Sequence, residues 1–138
     1  MSAGYSGTPL ARKLGYAPGL RAHLDNAPPH YLGLLDGLPG GVVFLEDPCA
    51  EAELIHVFVT EAAALPLVLA AHLEHLTPRG ALWVSWPKRA AKVPTDVTED
   101  VVRQAALPFG LVDVKVCAVD ATWSALKLVR RRGNAERG

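Results

Sequence analysis

Five polar side chains and one tryptophan at the ends of four apolar runs are the residues of this sequence best suited to chemistry. They are Asp25, Asn26, Glu46, Thr60, Trp86 and Lys88. If the apolar runs are parallel strands, their carboxyl ends meet at one edge of a sheet, where open α/β sheets bind their ligands. We therefore expect these residues to form a ligand-binding edge.

Trp86 and Lys88 are the most distinctive pair in this set. A tryptophan ring offers a stacking surface and a lysine offers a compact cation, so together they suit a nucleobase with its phosphate or another anion. The same pattern fits a tryptophan that closes the core beside a solvated lysine. Lys88 also forms a cationic loop with Arg89 and Lys92, which either binds phosphate or is a surface segment.

The histidines, Ser85 and the cysteines indicate a reaction less clearly. His72 and His75 lie three residues apart with no third ligand indicated, so we expect no metal site. His56 lies within an apolar run, where we expect a hydrogen-bonded core histidine. Ser85 lacks the flanking glycines of a nucleophile elbow, and neither it nor Cys117 has a base partner that the sequence identifies.

Composition predicts one globular domain and excludes several classes of protein. The chain has 138 residues, half of them apolar, and its 14 basic and 14 acidic residues cancel. We expect a single domain at residues 1–132 and a disordered polar tail at 133–138. Neutrality argues against a dedicated nucleic-acid binder. No signal-peptide pattern and no apolar run of about 20 residues is present, so we expect a cytoplasmic protein without a membrane partner.

Apolar patterning predicts strands that alternate with helices. Strands are expected at 21–26, 41–46, 54–60 and 81–85, and helices at 9–14, 29–35, 61–76 (or from 65 only) and from Asp96 or Thr98 until Gly110 ends the helix. Residues 111–119 and 123–131 read as two strands joined by a tight turn, which makes them antiparallel. The order predicts an α/β fold: one three-layer, Rossmann-like domain with a mostly parallel sheet of about six strands and a C-terminal antiparallel hairpin.

Three segments resemble class I S-adenosylmethionine-dependent methyltransferases. LGYAPGLRAHLD (14–25) resembles the lead-in to their first strand, LTPRGALWVSW (76–86) their fifth strand, and residues 96–131 their C-terminal unit. The resemblance implies a methyltransferase-like fold. In that family an acid at the end of the second strand holds the ribose hydroxyls of the cofactor. Glu46 stands there in this chain, although an acid before Asp47-Pro48 also fits an ordinary turn.

The chain departs from that family where the cofactor is held. The family places a glycine-rich turn after its first strand, whereas residues 25–29 (DNAPP) contain no glycine and two prolines. One strand–helix unit of the family also lacks a counterpart. We therefore expect no cofactor and a non-catalytic binding or regulatory module, with a small nucleotide-like ligand or a protein as partner. The alternative is a small S-adenosylmethionine- or nucleotide-binding enzyme of methyltransferase type that uses the carboxyl edge.

Two further segments resemble a small bacterial family of unknown function. They are GYSGTPL at residues 4–10 and LWVSWPK at residues 82–88. The resemblance implies a bacterial protein, and it brings no activity that could be transferred to this chain.

Overall fold

One six-stranded sheet organises the chain. The computed structural model describes residues 8–131. Its strands are β1 (Arg21–Asp25), β2 (Val43–Phe44), β3 (Ala52–Phe58), β4 (Leu76–Pro87), β5 (Leu111–Ala118) and β6 (Trp123–Arg130), in the order β2-β1-β3-β4-β6-β5. The first four strands are parallel, and β6 is antiparallel to β4 and β5. The predicted mostly parallel α/β sheet with its C-terminal hairpin is confirmed.

Helices cover both faces of this sheet, because its central strands are apolar on both faces. The helices are α1 (Leu10–Leu14), α2 (Leu65–Leu73) and α3 (Glu99–Ala106), with 3₁₀ turns at Tyr31–Leu34, Ala62–Ala64, Arg89–Ala91 and Leu107–Phe109. Leu54 and Phe58 of β3 pack with α1 and the first 3₁₀ turn, on what we call the α1 face. Ile55 and Val57 pack with α2 and α3 on the opposite face. No helix within residues 8–131 has the length and apolar character needed to cross a membrane.

Each of the first two helices has a proline beside its first residue, Pro9 before α1 and Pro66 as the second residue of α2. A proline is tolerated there because the N–H groups of the first turn have no partner within the helix. Pro9, and not the predicted Thr8, occupies the N-cap of α1, and Gly15 ends this helix with a left-handed φ of 96°. Helix α2 begins at Leu65 with Pro66 in its first turn, which confirms the shorter of the two predicted helices.

Thr98 caps helix α3. The sequence predicted that the cap would be either Asp96 or Thr98. Its side chain accepts a hydrogen bond from the Val101 N–H at 3.2 Å. The capping box predicted between Asp96 and Glu99 is wrong. Asp96 instead accepts a hydrogen bond from the Ala62 N–H at 2.7 Å, and so joins two loops rather than starting the helix.

The elements between β1 and β3 are shorter than the sequence predicts. A strand was expected at 41–46, and the structure has only the two residues of β2 there. The helix expected at 29–35 is a single 3₁₀ turn. Gly37 and Gly41 adopt left-handed φ values of 78° and 79°, which interrupt regular structure. Strand β2 also lies at the sheet edge and pairs only with β1.

Strand β4 is longer than predicted, because the turn expected at residues 78–80 lies inside it. Ala52 pairs with Leu76 and Leu54 pairs with Ala81, so β4 uses more residues than β3 over this stretch. The additional residues form a bulge, which bends the strand without ending it.

Arg130 joins strand β6 to the end of helix α2. Its guanidinium donates hydrogen bonds to the carbonyl oxygens of Thr77, Leu73 and Leu76 at 2.6, 2.9 and 3.0 Å. Leu73 is the last residue of α2, so the cation lies at the negative end of the helix dipole. It satisfies carbonyl groups that have no partner within the helix.

A chain of hydrogen-bonded side chains crosses the core on the α1 face. The Tyr16 hydroxyl lies 2.9 Å from that of Tyr31, which lies 2.9 Å from His56 Nδ1, and His56 Nε2 lies 2.7 Å from Ser85 Oγ. Burial lowers the pKa of His56 to about 3, so its ring is neutral and has one donor and one acceptor. Burial likewise raises the pKa of Tyr16 to about 12. The predicted core histidine is confirmed, and Ser85 is its buried partner.

Substitution Gly80→Ala should destabilise the protein by about 1–3 kcal/mol, because the added methyl overpacks the bulge. An ideal Cβ at this position lies 2.7 Å from Leu76 Cδ1 and 2.9 Å from the Glu53 carbonyl oxygen. Gly33→Ala is the matched control, since a Cβ there meets nothing within 4 Å. Urea unfolding of both variants measures the difference. Equal stability of the two variants would contradict the packing seen at Gly80.

Acidification should destabilise the protein through His56. Its pKa is about 3 in the folded state and about 6.5 in an unfolded chain. As the pH falls, the unfolded state therefore binds the proton first. The free energy of unfolding should decrease below about pH 6.5, by up to about 1.4 kcal/mol per pH unit, until the folded-state pKa is reached.

Urea unfolding of the wild type and of His56→Gln between about pH 7 and pH 4.5 measures this contribution. The variant should be less stable at neutral pH, because it disturbs the hydrogen bonds to Tyr31 and Ser85. Its stability should nevertheless decrease less steeply on acidification. Identical slopes would show that His56 does not cause the acid sensitivity.

Candidate functional site

The strand order reverses between β1 and β3. The chain places β2 on one side of β1 and then returns to place β3 on the other side. Ligands of open α/β sheets bind outside the carboxyl ends of the strands at such a point. Here those ends are Asp25 of β1 and Phe58 of β3. The candidate site therefore begins at these two residues.

A shallow pocket of about 340 Å³ lies at this edge. Its lining residues are Asp25, Asn26, Phe58, Val59, Thr60, Glu61, Ala64 and Val68. The structure thus brings together three of the predicted site residues, namely Asp25, Asn26 and Thr60. Two carboxylates and no cation line the pocket, so its polar groups suit a ligand that donates hydrogen bonds. We call it the carboxyl-edge pocket.

Asn26 connects the carboxyl ends of β1 and β3. Its φ of 60° is a left-handed conformation that asparagine tolerates better than most residues. Its side-chain amide donates a hydrogen bond to the Phe58 carbonyl oxygen at 3.2 Å, so it bridges the ends of both strands. Pro28 and Pro29 follow, and neither has an N–H group to offer a ligand.

A histidine from α2 holds Asp25. His72 Nε2 donates to Asp25 Oδ2 at 2.7 Å. The His23 ring lies 5.3 Å from the His72 ring, and His23 Nδ1 is buried without a hydrogen-bond partner among the described residues. His75, for which no metal site with His72 was expected, has its Nε2 atom 3.8 Å from Glu74 Oε1. Within residues 8–131, no group of three or more His, Cys, Asp or Glu residues could hold a metal ion.

The segment after β3 is fixed by the loop that precedes α3. Thr95 Oγ1 donates to the Thr60 carbonyl oxygen at 2.7 Å. Two residues further along the chain, the Ala62 N–H donates to Asp96 at 2.7 Å. The backbone at one side of the carboxyl-edge pocket is therefore held in place by contacts distant in sequence.

The other predicted site residues lie outside the carboxyl-edge pocket. Trp86 is 7% exposed and packs with Val97 in the core on the α2–α3 face. Lys88 is half-buried after the end of β4, and Glu46 is exposed beyond the end of β2. Their roles as ligand contacts stay predictions, and the burial of the Trp86 ring leaves little of it available for stacking.

The turn between β5 and β6 lies at this same edge, which the sequence did not indicate. The Lys88 N–H donates to the Thr122 carbonyl oxygen at 2.7 Å. Asp120 accepts hydrogen bonds from His30 at 2.9 Å and from the N–H groups of Thr122 and Trp123 at 2.8 Å. Burial acts to raise the pKa of Asp120, but these hydrogen bonds outweigh it and hold the pKa below its usual value. The His30–Asp120 pair therefore ties the loop after β1 to the hairpin.

Several solved structures similar to this chain are methyltransferases. A proposed type 11 methyltransferase from Sulfolobus solfataricus has a TM-score of 0.63 at 12% identity, over 88% of this chain and 89% of that one. A SAM-dependent methyltransferase from Aquifex aeolicus has a TM-score of 0.61 at 13% identity, over 86% of each chain. Magnesium protoporphyrin IX methyltransferase from Synechocystis, with bound SAH, has a TM-score of 0.58 at 10% identity, over 88% of this chain and 78% of that one. No protein-family model and no curated protein matches the sequence.

These similarities are in fold, since the sequence identities are 10–13%. The resemblance to a small bacterial family stays a prediction, and residues 4–7 of its GYSGTPL segment lie outside the described residues. The predicted tail at 133–138 also lies outside them. The resemblance to class I methyltransferases is confirmed at the level of architecture, and the chain has a methyltransferase-like α/β fold.

Proposed function

We propose that this protein is a non-catalytic binding or regulatory module built on a methyltransferase-like fold. The observation that carries this proposal is the Asn26 side chain, which spans the crevice between β1 and β3 through its 3.2 Å hydrogen bond to the Phe58 carbonyl oxygen. A cofactor-binding α/β fold leaves this crevice open, so that glycine backbone and a helix N-terminus can approach the ligand. Here the Asn26 side chain bridges the ends of the two strands, where such a fold places glycine backbone.

The segment after Asn26 supports the same conclusion. Pro28 and Pro29 provide no N–H donors, and the following 3₁₀ turn at Tyr31–Leu34 has only four residues. Such a turn aligns too few peptide dipoles to bind an anion as a full helix does. His30 is engaged by Asp120 at 2.9 Å. The polar side chains of this loop bond to other residues of the protein. In a cofactor-binding fold, the polar groups of this loop contact the ligand instead.

The carboxyl-edge pocket suits a ligand of a different kind. Its carboxylates, Asp25 and Glu61, accept hydrogen bonds and carry negative charge. An ammonium or hydroxyl group, from a small molecule or from a side chain of a protein partner, complements them. His72 already holds Asp25 at 2.7 Å, so this carboxylate needs little ordering when a ligand arrives.

A small S-adenosylmethionine- or nucleotide-binding enzyme of methyltransferase type is the second candidate. The position of the carboxyl-edge pocket, at the point where the strand order reverses, favours it. This function requires Asn26 to leave Phe58, and it requires Glu46 to reach the ribose. Lys88 and Trp86 do not line the carboxyl-edge pocket, and Trp86 is only 7% exposed. They would therefore contact the ligand only after the chain around them moved.

We expect S-adenosylhomocysteine at about 1 mM to leave the melting temperature of the wild-type protein unchanged. A ligand present at about 100 times its dissociation constant stabilises the native state by about 2.7 kcal/mol. For a domain of this size, that corresponds to a rise of about 8 °C. Differential scanning fluorimetry resolves such a change easily.

Two variants make this experiment decisive. Asn26→Gly opens the crevice and suits the left-handed backbone, so it should keep the fold and permit a larger response to S-adenosylhomocysteine than the wild type shows. Asp25→Asn removes a pocket carboxylate. A saturable rise in the wild type that Asp25→Asn abolishes, or methyl transfer to any acceptor, would contradict the proposal and favour the enzyme.

A further inference from the structure

A second pocket, which we call the α1–β5 pocket, lies between helix α1 and the outer strand β5. It measures about 410 Å³ and is lined by Thr8, Arg12, Lys13, Lys115, Val116, Cys117 and Ala118. It shares no lining residue with the carboxyl-edge pocket. The proposed function uses none of these side chains, so the α1–β5 pocket can be considered independently of it.

Three cationic side chains and no carboxylate line the α1–β5 pocket. Among the ion pairs formed within residues 8–131, none includes Arg12, Lys13 or Lys115. The whole chain carries 14 basic and 14 acidic residues, so the positive charge here is a local excess. Cations on one concave surface repel each other, and a bound anion relieves that repulsion.

One of the three cations is held in position by the fold. Lys115 Nζ donates a hydrogen bond to the Lys13 carbonyl oxygen at 3.2 Å. Lys13 lies in the last turn of α1, whose carbonyl groups have no partner within the helix. This bond connects β5 to α1 and places the ammonium at the pocket, so less side-chain freedom is lost when a ligand binds.

The floor of the α1–β5 pocket is apolar and chemically inert. Burial raises the pKa of the Cys117 thiol, while the nearby Lys115 and Lys13 act in the opposite direction with smaller effect. The thiol is therefore protonated at neutral pH and is not activated as a nucleophile. The Cys117 side chain packs on the α1 face of β5 and offers apolar surface beside the cations.

We propose that the α1–β5 pocket binds a small phosphate monoester, with the phosphate between Arg12, Lys13 and Lys115 and the apolar group against Cys117. A guanidinium matches two phosphate oxygens, and the ammonium groups add compact charges. A phosphate monoester carries close to two negative charges at neutral pH, so it balances the three cations better than a carboxylate does.

Phenyl phosphate is the probe, because it combines a phosphate with an apolar ring. It is titrated into ¹⁵N-labelled protein at about pH 7.5, with the ionic strength held constant by NaCl. We expect saturable shifts in the amides of residues 12–13 and 115–118, with a dissociation constant of about 1 mM or less, as two charge-assisted contacts provide. Benzoate, with one charge, should bind about tenfold more weakly.

Two double variants separate this site from general attraction to positive charge. Arg12→Gln with Lys115→Gln should weaken phenyl phosphate binding about tenfold or more. Arg89→Gln with Lys92→Gln removes the same charge from the loop after β4 and should leave the affinity unchanged. The proposal is overturned if the shifts do not saturate, if both double variants weaken binding equally, or if benzoate binds as tightly as phenyl phosphate.

Discussion

The hydrogen bond between His56 of β3 and Ser85 of β4, at 2.7 Å, lies where both strands are buried on both faces. Polar groups at this depth cannot reach water, so each of them needs a partner inside the protein. Tyr31 supplies the second partner of His56, and Tyr16 in turn supplies the partner of Tyr31. These bonds hold the segment after α1, which contains Tyr16, and the 3₁₀ turn at Tyr31–Leu34 against the sheet. Together with the short helix α1, these segments cover the α1 face.

This buried chain of hydrogen bonds also positions the loop that follows β1 at the carboxyl edge. Tyr31 follows β1 by only a few residues, so its bond to His56 holds the intervening loop down on the sheet. The loop is fixed at two further points, where Asn26 bonds to Phe58 and His30 bonds to Asp120. The segment that follows β1 forms only the four-residue 3₁₀ turn at Tyr31–Leu34. The methyltransferase-like architecture is thus combined with a loop after β1 that is held by contacts within the protein.

The two pockets differ in the charge of the side chains that line them. The carboxyl-edge pocket presents Asp25 and Glu61, whereas the α1–β5 pocket presents only cations among its charged residues. A chain with no net charge thus has two surfaces of opposite character. Each surface therefore attracts groups of the opposite sign.

Local patterns in the sequence were sufficient for much of the fold and for part of the candidate site. Continuous apolar runs predicted the central strands, and a polar residue at the end of each run predicted that Asp25, Asn26 and Thr60 would come together. Trp86 was expected beside them, but alternation along β4 directs its ring into the core on the α2–α3 face. No local pattern indicated that His72 would hold Asp25, because 47 residues separate them.

The sequence by itself determined the order of the six strands and of helices α1, α2 and α3, the apolar faces that must be covered and the absence of a glycine-rich turn after β1. Those features depend on residues close together in the chain, whose periodicity and backbone preferences are local. Only the tertiary structure decided which side chain bridges the ends of β1 and β3 and which charges meet in each pocket. The His30–Asp120 pair and the Lys115–Lys13 bond span 90 and 102 residues. Contacts over such separations are set by the packing of the whole sheet, so they can be identified only once the chain has folded.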